Sequence, residues 1–122
     1  MTKPLVSVVT PVYNGAKYLA ECVESVLGQT YENFEYIILN NNSTDETLRI
    51  AEGYKAVDRR VRVQSNDTLL PIISNHNRAF SLISPDSKYC KVVSADDWIL
   101  PHCLEQMVDL AEGHPTIGVI GS

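Results

Sequence analysis

The sequence predicts an α/β fold in which one mainly parallel β-sheet is flanked by helices. Short apolar runs rich in β-branched residues recur at 5–10, 34–39, 60–64, 89–93 and 116–120. The stretches between them carry apolar residues at three- and four-residue intervals, the helical period. No hairpin-type two-residue turn joins consecutive strands, so each strand must return through a crossover and lie parallel to its neighbour.

Taken in order, LVSVVT at 5–10 is the first strand, expected to end at Pro11, and Asn14-Gly15 marks the turn after it. Leu19, Cys22, Val23, Val26 and Leu27 then share one helical face, with Gly28 where a C-terminal cap belongs. FEYIIL at 34–39 is the second strand and runs into Asn40, Asn41, Asn42 and Ser43. Ser43 with Glu46 predicts a capping box and a helix from Thr44 to Tyr54. RVRVQ at 60–64 alternates like a strand with one wet face. Residues 66–71 read as a loop and 72–83 as a less regular helix. The fourth strand is 89–93, after which Pro101 is placed to open a helix with Leu104, Met107, Val108 and Ala111 on one stripe. Gly113 and Pro115 stop that helix, leaving TIGVIG as a last short strand.

With 122 residues, 44% hydrophobic and 20% charged, the chain is expected to form a single domain, residues 1–122, around one core. Fifteen acids against ten bases give a net charge of −5, which argues against nucleic acid as the partner. Arg59, Arg60 and Arg62 are the basic exception, readable as a solvated strand entrance or as a contact to an anionic ligand or acidic membrane. No apolar run approaches the ~18 residues of a membrane span. The N-terminus MTKPLVSVV lacks the basic-then-apolar layout of a secretory signal. The expected location is therefore cytoplasmic, with membrane association only through parts of a parent protein outside this chain. Cys22, Cys90 and Cys103 are odd in number and show no CxxC spacing, which suits reduced thiols. Asn41, Asn42 and Asn66 begin glycosylation sequons that carry no weight without a signal.

The chemistry concentrates in YCKVVSADDW at 89–98, where a strand breaks off into Ser94-Ala95 and two adjacent carboxylates, Asp96 and Asp97. Ligands of open α/β sheets bind outside the carboxyl ends of the strands, and an acidic pair there is suited to a divalent cation held against phosphate oxygens. On an extended backbone successive side chains point opposite ways, so one acid can face a metal while its neighbour faces a sugar.

Four ordered segments bring a family into view: VSVVTPVYNG at 6–15, SVLGQTYENFEYIILNNNSTDETL at 25–48, HNRAF at 76–80 and SADDWILP at 94–101. Spread in order along the sequence, they make nearly the whole chain resemble the N-terminal, nucleotide-binding half of a family 2 glycosyltransferase of the Rossmann-like GT-A fold. The resemblance implies a nucleotide-diphospho-sugar donor, a UDP-sugar first, bound with Mn2+ or Mg2+ for inverting transfer to an unknown acceptor in glycan or polysaccharide synthesis. It maps the nucleobase site onto Pro11 and Tyr13, the metal ligand onto Asp97, and a contact to ribose or a metal-bound water onto Asp96. Where the family has two acids at the second strand's tip, the second accepting from the pyrimidine imide, this chain has Asn40 and Asn41; Asn41 is the expected base contact, its side-chain carbonyl still able to accept from that N–H without charge assistance. In the third segment Asn77 and Arg78 keep the family pattern, whereas Pro71 and His76 depart from it; His76 is a candidate nucleotide contact. Ser94 stands where the family's common motif begins with an Asp.

The resemblance places the catalytic general base in the half that follows, beyond Ser122, so these 122 residues are expected to be the N-terminal portion of a longer enzyme. A noncatalytic α/β binding module is the alternative from another class. A receiver-type domain would need acids at the end of its first and third strands, where this chain has Thr10-Pro11 and Gln64-Ser65. An inactive fragment is the remaining alternative.

Overall fold

In the computed structural model, which describes residues 3–113, four strands form one sheet in the order β3-β2-β1-β4, and all three pairings are parallel. The elements run β1 (Val6–Val12), α1 (Ala16–Leu27), β2 (Phe34–Asn40), α2 (Thr47–Val57), β3 (Val61–Ser65), α3 (Ile72–Ser81), β4 (Tyr89–Val92) and α4 (Cys103–Gly113). The strand expected at 116–120 lies outside the described residues.

Strand periodicity decides which helix lies on which face. Val6, Val8 and Val12 of β1, with Phe34, Tyr36 and Ile38 of β2, point into a core closed by Leu19, Cys22, Val23 and Val26 of α1, Ala51 of α2, and Leu104, Met107 and Val108 of α4. The alternate residues Val9, Ile37 and Leu39 face the other way and pack under Ala79 of α3. Each fully buried aliphatic side chain contributes about 1.5–3 kcal/mol, and α1 alone buries four residues on the stripe its sequence foretold.

β1 does not stop at Pro11. The strand continues to Val12, with Pro11 opposite Leu39 and Val12 opposite Asn40. A proline is tolerated because the β1–β4 ladder has already ended at Val9, so no partner requires the N–H that Pro11 lacks.

The Ser43–Glu46 capping box does not form. Helix α2 begins at Thr47, the Ser43 hydroxyl instead accepts the Asn14 amide at 2.9 Å, and the Glu46 carboxylate pairs with Arg49. Asp45 does the capping: its carboxylate accepts the Thr47 amide at 3.0 Å, the Thr47 hydroxyl at 2.5 Å and, from the neighbouring helix, the Ala16 amide at 3.2 Å. Desolvation disfavours the charged form, but these hydrogen bonds outweigh it and hold the Asp45 carboxyl below the usual range. One carboxylate thus serves the N-termini of α1 and α2 together. At the other end of the chain Pro101 and His102 form a turn, and α4 begins only at Cys103.

The arginine cluster lies where β3 begins, and its charges are largely matched. Arg60 pairs with Asp58 at 2.9 Å and stacks on Phe34, while Arg62 pairs with Glu35 at 3.0 Å. The Arg60 guanidinium beside Asp58 holds that carboxyl low. Among the described residues no helix is long and apolar enough to cross a membrane.

Candidate functional site

The chain proceeds outward from β1 through β2 to β3 and then jumps back to place β4 on the other side of β1. That reversal opens the crevice where parallel sheets receive ligands, between the loops after β1 and β4. Tyr13 leaves the tip of β1 half exposed, while Asp96 and Asp97 stand exposed just beyond β4. The two loops approach closely at Gly15: a Cβ there would lie 3.2 Å from the Ala95 methyl and 2.5 Å from a Val12 methyl, so any larger residue would force them apart.

The acidic pair sits on a tight turn. The Asp97 amide donates to the Ser94 carbonyl at 3.0 Å, and one Asp97 carboxylate oxygen accepts the Trp98 amide at 2.9 Å, which leaves its other oxygen for a ligand. Among the described residues no third His, Cys, Asp or Glu gathers with them into a metal-binding group. Two hard carboxylates without further protein ligands match a cation such as Mg2+, which keeps waters and takes its remaining ligands from substrate phosphates.

The loops after β1 and β2 are laced together. Asn14, in the left-handed region at φ 50°, accepts the Thr44 amide at 2.8 Å, and the Gly15 amide donates to the Thr47 hydroxyl at 3.0 Å. The Asn41 amide donates to the Val12 carbonyl at 2.7 Å. Asn40 turns the chain by accepting the Ser43 amide at 3.1 Å.

Asn41 is buried and its side chain is engaged within the protein. Its oxygen accepts from the Leu70 amide at 2.9 Å and from Asn66 Nδ2 at 2.9 Å, while its nitrogen donates to the Leu70 carbonyl at 2.8 Å. A side-chain amide is required for that two-way pairing with a peptide group, because a carboxylate cannot donate. Asn66 also donates to Asn75 Oδ1 at 2.7 Å, so three asparagines join β2, β3 and α3 beneath the loop at 66–71. Asn66 Oδ1 is the buried side-chain oxygen without a partner among the described residues. Asn41→Asp is expected to set a carboxylate against the Leu70 carbonyl and cost about 1–3 kcal/mol. Urea unfolding measures it, and an unchanged midpoint would mean the pairing adds no net stability.

His76 lies on α3 with Nδ1 against the Ile72 carbonyl of its own helix at 3.0 Å, so only Nε2 is left to serve a ligand. Pro11, Tyr13, Asp96 and Asp97 come to the crevice on either side of the switch in strand order; Asn41 lies one strand over, within the asparagine network. Sequence reasoning missed Asp45, Asn66 and Asn75. Asn66 showed itself only as a sequon, and no local pattern announces an amide whose partners lie 25 and 9 residues away.

Comparison with known proteins bears on this arrangement. Residues 7–122 match the family described as Glycosyl transferase family 2. A relative from Haemophilus influenzae, named an uncharacterized glycosyltransferase, is 37% identical over 119 residues, covering 98% of this chain and 36% of that protein. Glycosyltransferase GlyG of Streptococcus pneumoniae is 34% identical over 97% of this chain and 38% of its own length. The solved structure of S. aureus TarS 1–349 in complex with UDP-GlcNAc is 27% identical and superposes with a TM-score of 0.81, covering 90% of this chain and 32% of that one. The chain therefore spans about a third of the length of each of these.

Proposed function

The chain belongs to glycosyl transferase family 2, and from that premise we propose that it is the donor-binding portion of a longer inverting glycosyltransferase, taking a UDP-sugar together with a divalent cation. The observation that carries the reading is the placement of an exposed aromatic ring after β1 and an exposed acidic pair after β4, on the two strands that flank the reversal in strand order. UDP-GlcNAc in the TarS complex supports uridine as the first donor to test.

In this reading Tyr13 stacks on the base, a contact worth ~1–3 kcal/mol, and Pro11 lines the same pocket. Asn41, its side-chain oxygen already accepting from the Leu70 amide and Asn66, holds the 66–71 loop beside the base. His76 Nε2 faces the nucleotide from α3. Asp97 would hold the cation, Mn2+ or Mg2+, and Asp96 the ribose or a metal-bound water. When bound, that ion neutralises the charge developing on the departing diphosphate. A carboxylate from the remainder of the parent protein deprotonates the acceptor hydroxyl, which attacks the anomeric carbon opposite the leaving group. The protein acts in the cytoplasm, on an acceptor in glycan or polysaccharide synthesis.

Calorimetry of the purified chain with UDP, dTDP and GDP, each with and without Mn2+, tests the reading. The expected result is micromolar to millimolar binding that favours UDP and strengthens with Mn2+. Failure to bind any of the three in either condition would return the chain to the binding-module or inactive-fragment reading.

A further inference from the structure

Beneath the acidic turn lies a polar cluster in a face otherwise filled by aliphatic and aromatic carbon. Thr10, Tyr36 and Cys22, from β1, β2 and α1, are all fully buried. The Thr10 hydroxyl lies 2.8 Å from the Val93 carbonyl and 2.7 Å from the Tyr36 oxygen. A hydroxyl has one proton. Thr10 gives its proton to Val93, so the contact with Tyr36 must be donated by the phenol. The Cys22 thiol reaches the Ser94 carbonyl at 3.4 Å, and that same carbonyl accepts the Asp97 amide at 3.0 Å. Val93 is tied from its other side as well, its amide donating to Val9 at 3.0 Å. Two consecutive carbonyls, separated from the acidic pair only by Ala95, are thus each held by a buried side chain.

Stability alone does not account for the cluster. Valine at 10 and phenylalanine at 36 would keep the shape, valine leaving the Val93 carbonyl without this donor, and a buried hydrogen bond contributes only about 1 kcal/mol net. What directional donors add is a defined backbone position. Burial, with the Asp97 and Asp96 charges nearby, pushes the Cys22 thiol up, and burial pushes the Tyr36 phenol well up, so both remain donors across the neutral range.

We infer that Thr10, Tyr36 and Cys22 are positioning residues that latch the Val93 and Ser94 carbonyls and thereby fix the turn presenting Asp97 to the donor's cation. The inference rests on the donor-binding reading for its functional consequence, but the latch itself is a property of the turn. Thr10→Val keeps the shape and removes the hydroxyl; Thr10→Ser restores it; Tyr36→Phe removes the donor to Thr10. UDP affinity with and without Mn2+, and hydrogen exchange at the Asp97 amide, are measured for each. Thr10→Val and Tyr36→Phe are expected to lose about fivefold to tenfold in UDP affinity with Mn2+, the equivalent of one hydrogen bond, and distinctly less without it. Asp97 amide exchange should quicken by a comparable factor relative to Ile38 in β2, and Thr10→Ser should recover both. Variants that melt earlier yet keep the full Mn2+ gain and wild-type exchange at Asp97 would reduce the cluster to ordinary core and overturn the inference. Should the wild type bind no nucleotide, the donor reading falls, and unchanged Asp97 exchange in Tyr36→Phe would still overturn the latch.

Discussion

Asp97→Asn is expected to abolish the gain in UDP affinity that Mn2+ brings while leaving the fold intact. Asparagine has the same shape, and its oxygen can still accept the Trp98 amide; the site is exposed, so the change in stability should stay within about 0.5 kcal/mol. What disappears is the negative charge. Mutating a residue that merely hydrogen-bonds a metal ligand costs about 10- to 100-fold in metal affinity, so removing the ligand's charge should cost at least as much. With no third acidic, histidine or cysteine side chain gathered beside the pair among the described residues, no other group there makes up the loss. Asp96→Asn should keep more of the Mn2+ dependence, because its proposed partner is the ribose or a metal-bound water. Calorimetry of the three proteins with UDP, with and without Mn2+, decides it. Equal Mn2+ dependence in wild type and Asp97→Asn would leave the pair as a solvated turn.

The 122 residues alone are expected to bind a donor sugar nucleotide, hydrolyse it barely, and transfer it to no acceptor. General-base assistance is worth roughly 10²–10⁴ in rate, and loss of acceptor positioning multiplies the deficit. The relatives' own lengths support the expectation, since the chain spans only 36% and 38% of the two compared. The decisive assay incubates the purified chain with radiolabelled donor sugars, Mn2+ and a broad acceptor panel. Multiple-turnover transfer that vanishes in Asp97→Ala would place a competent base within these residues and overturn the division of labour proposed here.

Where local pattern is enough, the sequence is legible. The runs at 34–39 and 89–93 alternate or stay apolar because both faces of a parallel strand are covered, and they appear as β2 and β4 within a residue. The α1 stripe and its Gly28 terminus stand where the three- and four-residue spacing put them, because Leu19, Cys22, Val23 and Val26 all need the same side of one helix. Pro11 misleads for a reason of register: a proline breaks a strand only where a neighbour demands its N–H, and the length of the β4 pairing is invisible in the chain around residue 11. Ser43 and Glu46 mislead similarly. Their spacing suits a capping box, but Asn14, 29 residues away, takes the serine hydroxyl and Asp45 satisfies the helix.

The sequence by itself determined the α/β alternation, the apolar faces and the place of Tyr13, Asp96 and Asp97 at strand tips, because strand and helix periods and a carboxylate pair after an apolar run are properties of neighbouring residues. Only the tertiary structure decided that β4 returns beside β1, that Asn41 clasps Leu70 and Asn66, and that Thr10, Tyr36 and Cys22 brace the turn carrying Asp97. A hydrogen bond's partner is chosen by distance in space, and Thr10 meets Val93 across 83 residues of chain. Until the sheet closes, nothing in either residue's surroundings marks the other.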